Sequence, residues 1–409
     1  MNHLLALIFL LPLQAQDSPP PLPDAEQGYE QVERFIQVLE EVRAHHPDAE
    51  KLSYERLVNH ALEGMLGSLD PFSSFYHPET APYLDPNAPA DEQFLLPGLG
   101  ISLGQRENEF YLSSVREHSP AAEAGLRRDD ILLKVNAEEL SGFDLPATVR
   151  ALSGPAGQTV KLQLYRPLSR ETLEVSLLRS VIKQEPLPDH YLLEESGDHR
   201  IGYVRLTEFT ATAPAELEAA LDELEDQGMR SLILDLRGNP GGLLDASVKI
   251  LGLFLPPGKE VVTIRGRSPR ANHPALSTPD RQRVKRDYPL VVLLDRQSAS
   301  ASELTAAALR DLERATIVGE TSFGKGSVQS INPQPGGTAI RLTYATYHTP
   351  SGKTPHLVGV TPDIEVPWSD DDRAKFELFK NRRDATAEQA ASLETWTDPI
   401  LEAAMKELQ

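Results

Sequence analysis

Two groups of apolar residues near the start of the chain recur every three or four positions, which is the spacing of one face of an amphipathic helix. The first group is Val32, Phe35, Ile36, Leu39 and Val42, and the second is Leu57, Ala61, Leu62, Met65 and Leu66. The turn-like stretch LDPFSSF at residues 69–75 follows the second group. The pattern therefore predicts an N-terminal helical hairpin within a region that spans residues 28–80.

The pattern changes at Gly98 to short apolar segments that are separated by glycine and proline. The strand candidates are GLGISL, FYLSSV, DILLKVN, TVKLQLYR and TLEVSLLR, and the helix candidates between them are SPAAEAGL and LPATVRALSG. This order predicts a small, partly open barrel in residues 95–182. Residues 81–90, which hold three prolines and show no periodicity, are predicted to be a linker before it.

A larger unit begins at Ile201, where continuous apolar runs alternate with helical stretches. The runs SLILDLRG and YPLVVLLD are typical of strands buried on both faces of a sheet, and ATIVGE supplies a further strand. The helical stretches GLLDASVKILGLFL and ASELTAAALRDL follow the two long runs. This alternation predicts an α/β sheet with crossover helices, whose functional site should lie at the ends of the strands.

The first residues, MNHLLALIFLLPLQAQ, form a short apolar run that precedes the proline-rich DSPPPLPD. The run is too short to span a bilayer comfortably, which favours a secretory signal at residues 1–15, cleaved after Ala15, and a linker at residues 16–27. Such a signal predicts an extracytoplasmic protein, located in the periplasm of a bacterium. The alternative is an uncleaved segment that anchors the protein to the membrane.

Length, charge and cysteine content narrow the classes of function. A chain of 409 residues exceeds one ordinary core and indicates two or three domains. With 61 acidic and 40 basic residues the net charge is -21, which would repel a phosphate backbone, so nucleic acid is not an expected partner. The absence of cysteine excludes disulfides, thiolate metal sites and a cysteine nucleophile.

The segment from Gly98 resembles a PDZ domain. The resemblance is carried by Gly98-Leu99-Gly100-Ile101, Ser119-Pro120-Ala121, Ala124-Gly125-Leu126 and Asp130-Ile131-Leu132, with Asp129-Asp130 where Gly-Asp is usual. It implies that the N–H groups of Leu99, Gly100 and Ile101 receive a peptide's C-terminal carboxylate, while the peptide pairs as an added strand. The apolar residues that would line the side-chain pocket are Leu103, Val149 and Leu152. The alternative is that GLG is only a tight turn and that these residues belong to the core.

The stretch SASASE, from Ser298 to Glu303, lies between an apolar run and an alanine-rich one. Ser300 and Glu303 match a capping box, in which a serine and a glutamate three residues later satisfy each other's backbone donors. The same position would place a serine hydroxyl beside the free N–H groups of a helix N-terminus, which stabilise negative charge. Capping alone and catalysis are both open at this point, because a catalytic serine also needs a base.

Histidine and lysine are the two kinds of base that the sequence offers. Of eleven histidines, only His348 and His356 lie in the late strands of the predicted sheet. Lys325 lies between two glycines in TSFGKG, with Phe323 and Val328 as apolar neighbours. A lysine acts as a base near neutral pH only when desolvation lowers its pKa, which apolar neighbours promote. FGKG lacks the full spacing of a phosphate-binding loop.

The motifs DLRGNPGG, SASASE and TSFGKGSVQ, in this order, resemble those of the C-terminal processing, or tail-specific, serine proteases. That family places a serine and lysine pair on a crotonase-like fold with an inserted PDZ domain. The resemblance implies Ser300 as the nucleophile, Lys325 as the base and Gln329 as the residue that orients the lysine. It also implies an oxyanion hole formed by the amides of Gly242 and Ala301, and neither a cofactor nor a metal.

The resemblance also predicts the fold class, a multi-domain α/β (α+β) arrangement. A PDZ domain at residues 95–182 would be inserted into a protease core of residues 183–367 together with residues 28–94. A C-terminal helical region would follow at residues 368–409. Asp235 and Arg237 of DLRGNPGG are interpreted as a structural pair that shapes the loop.

The expected function is that of a secreted serine endopeptidase that recognises the free, apolar C-terminus of a protein substrate through its PDZ domain. It would cleave through an acyl-enzyme, and its PDZ domain could gate the site until a ligand or an activating partner protein moves it. The alternative is a non-catalytic peptide-binding scaffold that contains a PDZ domain. The terminal helices, at residues 29–69 and 387–408, would either form a homodimer or only cover their own domain.

Overall fold

The computed structural model of the protein describes residues 28–78, 98–106, 109–116, 119–140, 143, 148, 151–152, 154, 157–180, 186–193, 199–280, 286–380, 382 and 387–409. The predicted signal peptide, both predicted linkers and Val149 lie outside the described residues. The described chain divides into two compact units. The first holds residues 28–78, 263–274 and 327–347, and the second holds the described residues of 98–262, 275–326 and 348–409.

The N-terminal region contains the two helices that its apolar spacing predicts. Helix α1 spans Gly28–His45, helix α2 spans Tyr54–Gly67, and strand β1 spans Ser74–Tyr76. The Tyr54 hydroxyl donates to Glu40 Oε1 at 2.6 Å and so ties α2 to α1. Phe75 and Tyr76 of β1 are buried, whereas no residue of α1 is buried. The hairpin is therefore present, but its first helix adds no residue to the interior.

The segment that resembles a PDZ domain is an antiparallel sheet with a short helix. Its elements are β2 Ile101–Arg106, β3 Glu109–Val115, α3 Pro120–Glu123, β4 Ile131–Val135, β5 Glu138–Glu139, β6 Thr159–Arg166 and β7 Glu171–Leu178. The strands are hydrogen-bonded in the order β2-β3-β4-β6-β7, and β5 pairs with β4. Among the described strands, β2 therefore lies at an edge. Most of the second predicted helix, LPATVRALSG, lies outside the described residues.

The rest of the chain alternates strands and helices. The elements up to the predicted lysine loop are β8 Asp189–Leu192, β9 Ile201–Arg205, α4 Ala213–Asp226, β10 Ser231–Asp235, α5 Leu244–Phe254, β11 Glu260–Gly266, β12 His273–Ser277, β13 Leu290–Leu294, α6 Ala301–Asp311 and β14 Thr316–Gly319. The last elements are β15 Ser327–Pro333, β16 Ala339–His348, β17 Ile364–Glu365, α7 Asp370–Lys380, α8 Ala387–Glu394 and α9 Pro399–Glu407.

The central sheet has the strand order β17-β14-β13-β10-β9-β8. All neighbours are parallel except the edge strand β8, which pairs antiparallel with β9. Every residue of β9, β10 and β13 is buried, as their continuous apolar runs predict. Asp235 lies opposite Arg205 and Leu293, so the carboxyl ends of these three strands meet at one edge of the sheet.

Helices cover both faces of the central sheet, which confirms the predicted α/β architecture. On one face, a Cβ added to Gly202 of β9 would lie 3.4 Å from Leu224 of α4. On the other face, Tyr203 packs in one core cluster with Phe376 of α7 and Ile400 of α9. Helices α7 and α9 thus pack on their own domain, and whether residues 387–408 also form a homodimer stays a prediction.

A second sheet has the strand order β1-β16-β11-β12, and β15 also pairs with β16. In the antiparallel pair of β1 and β16, Phe75 lies opposite Ile340.

Across the part of the chain that the structure describes, no helix is both long enough and apolar enough to cross a bilayer. The predicted domain boundaries at residues 95–182, 183–367 and 368–409 stay predictions.

Candidate active site

Ser300 lies at the junction between β13 and α6, where it occupies the N-cap position of the helix. Its backbone has φ 55° and ψ −112°, a conformation that a non-glycine residue adopts rarely and that the surrounding structure must hold in place. All residues of α6 from Ala301 to Leu309 are buried, so the helix is a rigid support. Ser300 itself is only partly buried.

The two outer serines of SASASE have structural roles. The Ser298 hydroxyl donates to the carbonyl of Leu236 at 2.9 Å, and the Ser302 hydroxyl donates to the carbonyl of Asn239 at 2.9 Å. Both serines are fully buried. Their hydrogen bonds join the start of α6 to the loop that follows β10. Of the three serines, only the middle one, Ser300, is partly exposed to solvent.

The loop at residues 235–242, with the sequence DLRGNPGG, begins at the last residue of β10, and the fully buried Asn239 makes several of the contacts that fix it. The carbonyl of Asn239 accepts from the Ala299 N–H at 3.0 Å, in addition to the Ser302 hydroxyl. Its side-chain oxygen accepts from the Gly241 N–H at 2.8 Å, and its side-chain nitrogen donates to the Leu206 carbonyl at 2.7 Å. Asn239 therefore sets the position of the glycine pair relative to α6.

Gly241 lies directly against the serine. A Cβ at Gly241 would be 2.8 Å from Ser300 Cβ and 2.9 Å from the Ala301 backbone nitrogen, so only glycine fits there. Gly242 pairs with Phe209, whose carbonyl accepts from the Leu243 N–H at 2.8 Å. Within the described residues, the N–H groups of Gly242 and Ala301 donate to no protein acceptor. The structure thus brings the glycine pair, Ser300 and the first amide of α6 together.

Asp235 and Arg237 form the structural pair that the sequence predicts. Arg237 Nε and Nη2 donate to the Asp235 carboxylate, with Nη2 at 2.6 Å from Oδ2. Asp235 also accepts from the hydroxyl of Tyr203 at 2.7 Å. The remaining side of Arg237 donates to Asp398 at 2.7 Å, a contact across 161 positions of sequence that no local pattern indicates.

Lys325 lies in the loop between β14 and β15, and it is only 5% exposed. The backbone of this loop runs beside the serine turn, because the Phe323 N–H donates to the Ser298 carbonyl at 3.0 Å. The burial that the apolar neighbours predict is therefore present at the lysine, although the Phe323 side chain itself is 38% exposed.

The glycine after Lys325 allows a second loop to approach closely. A Cβ at Gly326 would lie 2.5 Å from the backbone nitrogen of His356. The Leu357 N–H also donates to the Gly324 carbonyl at 2.8 Å. The loop at residues 354–360 thus packs on the lysine loop through its backbone. The other late histidine, His348, is exposed in part and its Nδ1 lies 3.1 Å from the Gly352 carbonyl.

Glu303 joins the serine turn to the lysine loop. Its Oε2 accepts from the N–H groups of Ser300 and Lys325, both at 2.8 Å. Its Oε1 accepts from the Gly324 N–H at 2.7 Å and from the Ser322 hydroxyl. The capping interpretation identified only the contact with Ser300. A glutamate within an alanine-rich helical stretch was a signal in the sequence that this carboxylate has further partners.

Burial is the largest cause of the pKa shifts of two carboxyl groups next to the site, Glu303 and Asp295. Desolvation raises the pKa of Glu303 above its ordinary value, and the hydrogen bonds from Ser322, Gly324 and the other donors oppose that shift. Burial also raises the pKa of Asp295, which accepts from the Gly238 N–H at 2.9 Å. Among the described residues, no group of three or more acidic or histidine side chains could hold a metal ion.

Gln329, the predicted partner of the lysine, lies on β15. Its side-chain nitrogen donates to the hydroxyls of Ser327 at 2.6 Å and Thr343 at 3.3 Å. Gln329 belongs to the first compact unit, whereas Ser300 and Lys325 belong to the second. Its orienting role stays a prediction.

Of the predicted peptide-binding residues, Leu99, Gly100, Ile101 and Leu103 lie at or just before the start of β2, and Leu152 lies in a later segment. Leu99, Ile101, Leu103 and Leu152 are all at most 2% exposed, so they lie inside the small domain. The Gly100 carbonyl accepts from Arg116, and within the described residues its own N–H and that of Leu99 have no protein acceptor. Among the described strands, β2 pairs with β3 alone, as expected of a strand to which a peptide could be added. The pocket role of these residues stays a prediction, and Val149 lies outside the described residues.

The sequence of the chain is similar to those of known proteins. The sequence model of Peptidase family S41 matches residues 200–366, and that of a PDZ domain matches residues 111–166. A carboxy-terminal-processing protease of Bartonella bacilliformis is 37% identical over 348 residues, which cover 83% of this chain and 76% of the relative. A carboxy-terminal processing protease of Bacillus subtilis is 30% identical over 347 residues, which cover 85% of this chain and 71% of the relative.

Among solved structures, the photosystem II D1 C-terminal processing protease matches with a TM-score of 0.58 and 26% identity. The match covers 81% of this chain and 92% of that one. Sequence and structure therefore agree on a serine peptidase that also contains a PDZ domain. The chain belongs to peptidase family S41, the family of the carboxy-terminal-processing proteases.

Proposed function

We propose that the protein is a secreted serine endopeptidase that binds the C-terminus of a protein substrate and cleaves it with Ser300 and Lys325. One observation supports this function most strongly. The Glu303 carboxylate accepts from the backbone N–H groups of both residues at 2.8 Å, so one buried group fixes the two segments relative to each other. A helix cap alone needs no contact with the lysine loop.

In the first step, the neutral amine of Lys325 takes the proton of the Ser300 hydroxyl while Oγ attacks the scissile carbonyl. A lysine accepts a proton only in its neutral form, and burial disfavours the charged form. The side chain of Lys325 is 5% exposed, which suits this role. The proton then passes from Lys325 to the leaving amine, and water hydrolyses the acyl-enzyme.

The negative oxygen of the tetrahedral intermediate would be stabilised by the N–H groups of Gly242 and Ala301. Both groups are free of protein acceptors in the described structure, and Gly241 keeps the loop against Ser300. Ala301 is the first residue of α6, so the helix N-terminus adds its partial positive charge there. These are the features of an oxyanion hole that is formed before the substrate binds.

Substrate capture would occur at the PDZ domain. An extended C-terminal segment would pair with the edge strand β2, and its carboxylate would meet the N–H groups at Leu99, Gly100 and Ile101. Apolar last residues suit the apolar side chains around this loop. Location outside the cytoplasm is part of the proposal and rests on the apolar N-terminal run alone.

Cleavage of an unfolded protein with a free apolar C-terminus tests this function. We would compare the native protein with Ser300→Ala and Lys325→Ala, and record melting curves for all three. Lys353→Ala is the matched control, because Lys353 is an exposed lysine on a nearby segment. The expected result is cleavage by the native protein and the control only, with all variants folded. Tail binding without cleavage by the native protein would favour a non-catalytic scaffold or the need for an activating partner.

A further inference from the structure

We propose that Asp398, at the start of the last helix, is a positioning residue for the active site. It acts through Arg237 on the loop at residues 235–242, which places Gly241 and Gly242 beside Ser300. The inference deepens the proposed function and rests on the oxyanion role of Gly242. Asp398 lies outside the residues 200–366 that match the family model.

The loop at residues 235–242 needs anchors from outside its own sequence. Gly238, Gly241 and Gly242 have φ values of 70°, 107° and 134°, which most residues avoid. Glycine adopts such conformations without strain, but it also has the widest conformational freedom, so contacts with the surrounding structure must hold this segment in one shape. The side chain of Arg237 lies in the first half of this loop and connects it to Asp398, which lies before the last helix.

Arg237 is enclosed by two carboxylates and two aromatic rings. It is 2% exposed. Its Nη1 donates to Asp398 Oδ1 at 2.9 Å and to Oδ2 at 2.7 Å, while Nε and Nη2 are used by Asp235. The guanidinium carbon lies 4.2 Å from the ring centre of Phe376 and 5.2 Å from that of Trp368. Without Asp398, the Nη1 donors of a buried cation would lose their acceptor.

Asp398 is itself held firmly. It is the N-cap of α9, and its Oδ1 accepts from the N–H groups of Ile400 and Leu401, both at 3.1 Å. Ile400 and Ala404 of the same helix are fully buried in the core cluster on the central sheet. The carboxylate that accepts from Arg237 is therefore held by a packed helix. Its position does not depend on that of the loop at residues 235–242.

Asp235 cannot replace this anchor, because it lies only two residues before Arg237 on the same segment. Asp235 fixes Arg237 relative to β10, and the Tyr203 hydroxyl donates to the same Asp235 carboxylate. Asp398 fixes the same arginine relative to the helical layer on the sheet. Together the two carboxylates determine the direction in which the chain leaves β10 toward Gly241.

The test compares Asp398→Asn, Asp398→Glu and the control Glu402→Gln in the full chain. Asparagine keeps the helix cap but removes the charge that faces Arg237. Glutamate keeps the charge but caps poorly. Glu402 is an exposed acid in the first turn of α9, so its substitution removes a like charge without touching Arg237. For each protein we would measure kcat, KM, the melting temperature and the fraction of Ser300 labelled by a fluorophosphonate.

The expected result for Asp398→Asn is a kcat lowered on the order of tenfold to a hundredfold, because small misplacements of catalytic groups cost about this much. KM should change less than about twofold, since the predicted site of substrate capture, at Leu99 and Gly100, belongs to a different domain from Asp398. Asp398→Glu should recover part of the lost kcat, and Glu402→Gln should match the native protein. Native kcat in Asp398→Asn would show that Asp398 is only a cap and would overturn the proposal.

A loss of kcat that merely follows a loss of folded protein, seen as a lower melting temperature, would also overturn it. Hydrogen exchange of the amides at residues 238–243 gives a readout that does not depend on turnover. Faster exchange there in Asp398→Asn, with unchanged exchange in α6, is expected. If the native protein shows no Ser300-dependent cleavage, the proposed function fails, whereas unchanged exchange in the variant means that the positioning role fails.

Discussion

Lys325 combines a nearly buried side chain with a backbone that is fixed by Glu303 at 2.8 Å. The charge-keeping substitution Lys325→Arg should abolish cleavage, because a guanidinium does not release its proton near neutral pH. We expect kcat to fall by roughly a thousandfold, within the range of a lost general base. Turnover of the tail substrate measures this, with Lys353→Arg as the control. Normal turnover by Lys325→Arg would exclude the serine and lysine mechanism.

A substitution at Glu303 tests a second single residue of the site. Glu303→Gln keeps the size of the side chain, but its amide nitrogen would face backbone N–H groups that need an acceptor. At least one N–H among those of Ser300, Gly324 and Lys325 would lose its partner, at a cost of about 1–3 kcal/mol. We expect a lower free energy of unfolding in urea and a lower kcat. Glu313→Gln, at the exposed end beyond α6, should leave both unchanged.

The raised pKa of Glu303 makes its contribution to the stability of the fold depend on pH. Between the ordinary glutamate value of 4.5 and the raised folded pKa, the folded protein binds more protons at this group than the unfolded chain does. The contribution of Glu303 to the unfolding free energy therefore falls as pH rises through that window. Glutamine has no such term. The difference in unfolding free energy between the native protein and Glu303→Gln should thus shrink from about pH 4.5 upward. A difference that stays constant with pH would show that the pKa of Glu303 is not raised.

At the scale of elements, local patterns predicted what is local. The buried strand β13, the cap at Ser300 and the start of α6 follow from a continuous apolar run, a capping box and an alanine-rich stretch. Long-range contacts were not predictable. The bonds from Glu303 to the loop about twenty positions later depend on how two loops meet, which no periodicity records.

The same limit explains why Asn239 and Asp398 were missed as support for the site. Asn239 stood inside a recognised motif, yet only the fold shows that all its polar groups are used. Asp398 stood in a short stretch near the C-terminus, and its partner Arg237 lies 161 positions away. The sequence indicated which segments carry chemistry, and the packing of distant segments decided which side chains hold them.

Helix α1 carries a prediction of its own. Its exposed apolar residues are Tyr29, Val32, Phe35, Ile36, Val38 and Val42. A helix face of this kind is usually covered, and a second copy of the chain could cover it with the same face in a symmetric contact. We predict a homodimer that Val32→Glu combined with Ile36→Glu converts to a monomer, because both positions lie on that face.

Sedimentation equilibrium, together with circular dichroism to confirm the fold, checks the prediction for α1. The matched control is Gln37→Glu, which adds a charge on the opposite side of the helix and should leave the dimer intact. A native chain that is monomeric at micromolar concentration would contradict the prediction. C-terminal helix α9 needs no such partner, because Ile400 and Ala404 are already buried in its own domain.

At the scale of the molecule, the PDZ domain and the serine site are linked within the second compact unit. Arg116 donates its backbone N–H to the Gly100 carbonyl at 2.8 Å, next to the predicted carboxylate site. Its side chain lies 3.9 Å from Glu208. Glu208 precedes Phe209, whose N–H donates to the Gly241 carbonyl at 2.8 Å. A line of contacts therefore leads from the predicted peptide-binding loop to the glycine pair beside Ser300.

The ion pair between Arg116 and Glu208 is partly exposed and long, so it contributes only about 0–1 kcal/mol and can break when a peptide binds. We predict that a free peptide with an apolar C-terminus raises kcat for a short amidated reporter that lacks such a tail. Arg116→Ala should bind the peptide with a nearly unchanged Kd but respond less in kcat, since the coupling between the two sites is then weakened.

Lys161→Ala, which removes an exposed cation from β6, is the control and should respond like the native protein. Titration of the peptide against both reporter hydrolysis and direct binding separates coupling from affinity. Full stimulation of Arg116→Ala would exclude this ion pair as the link between the two sites. A native protein that binds the peptide without any change in kcat would show that the PDZ domain captures substrate tails but does not gate the serine, because a ligand with no differential affinity for two states cannot shift them.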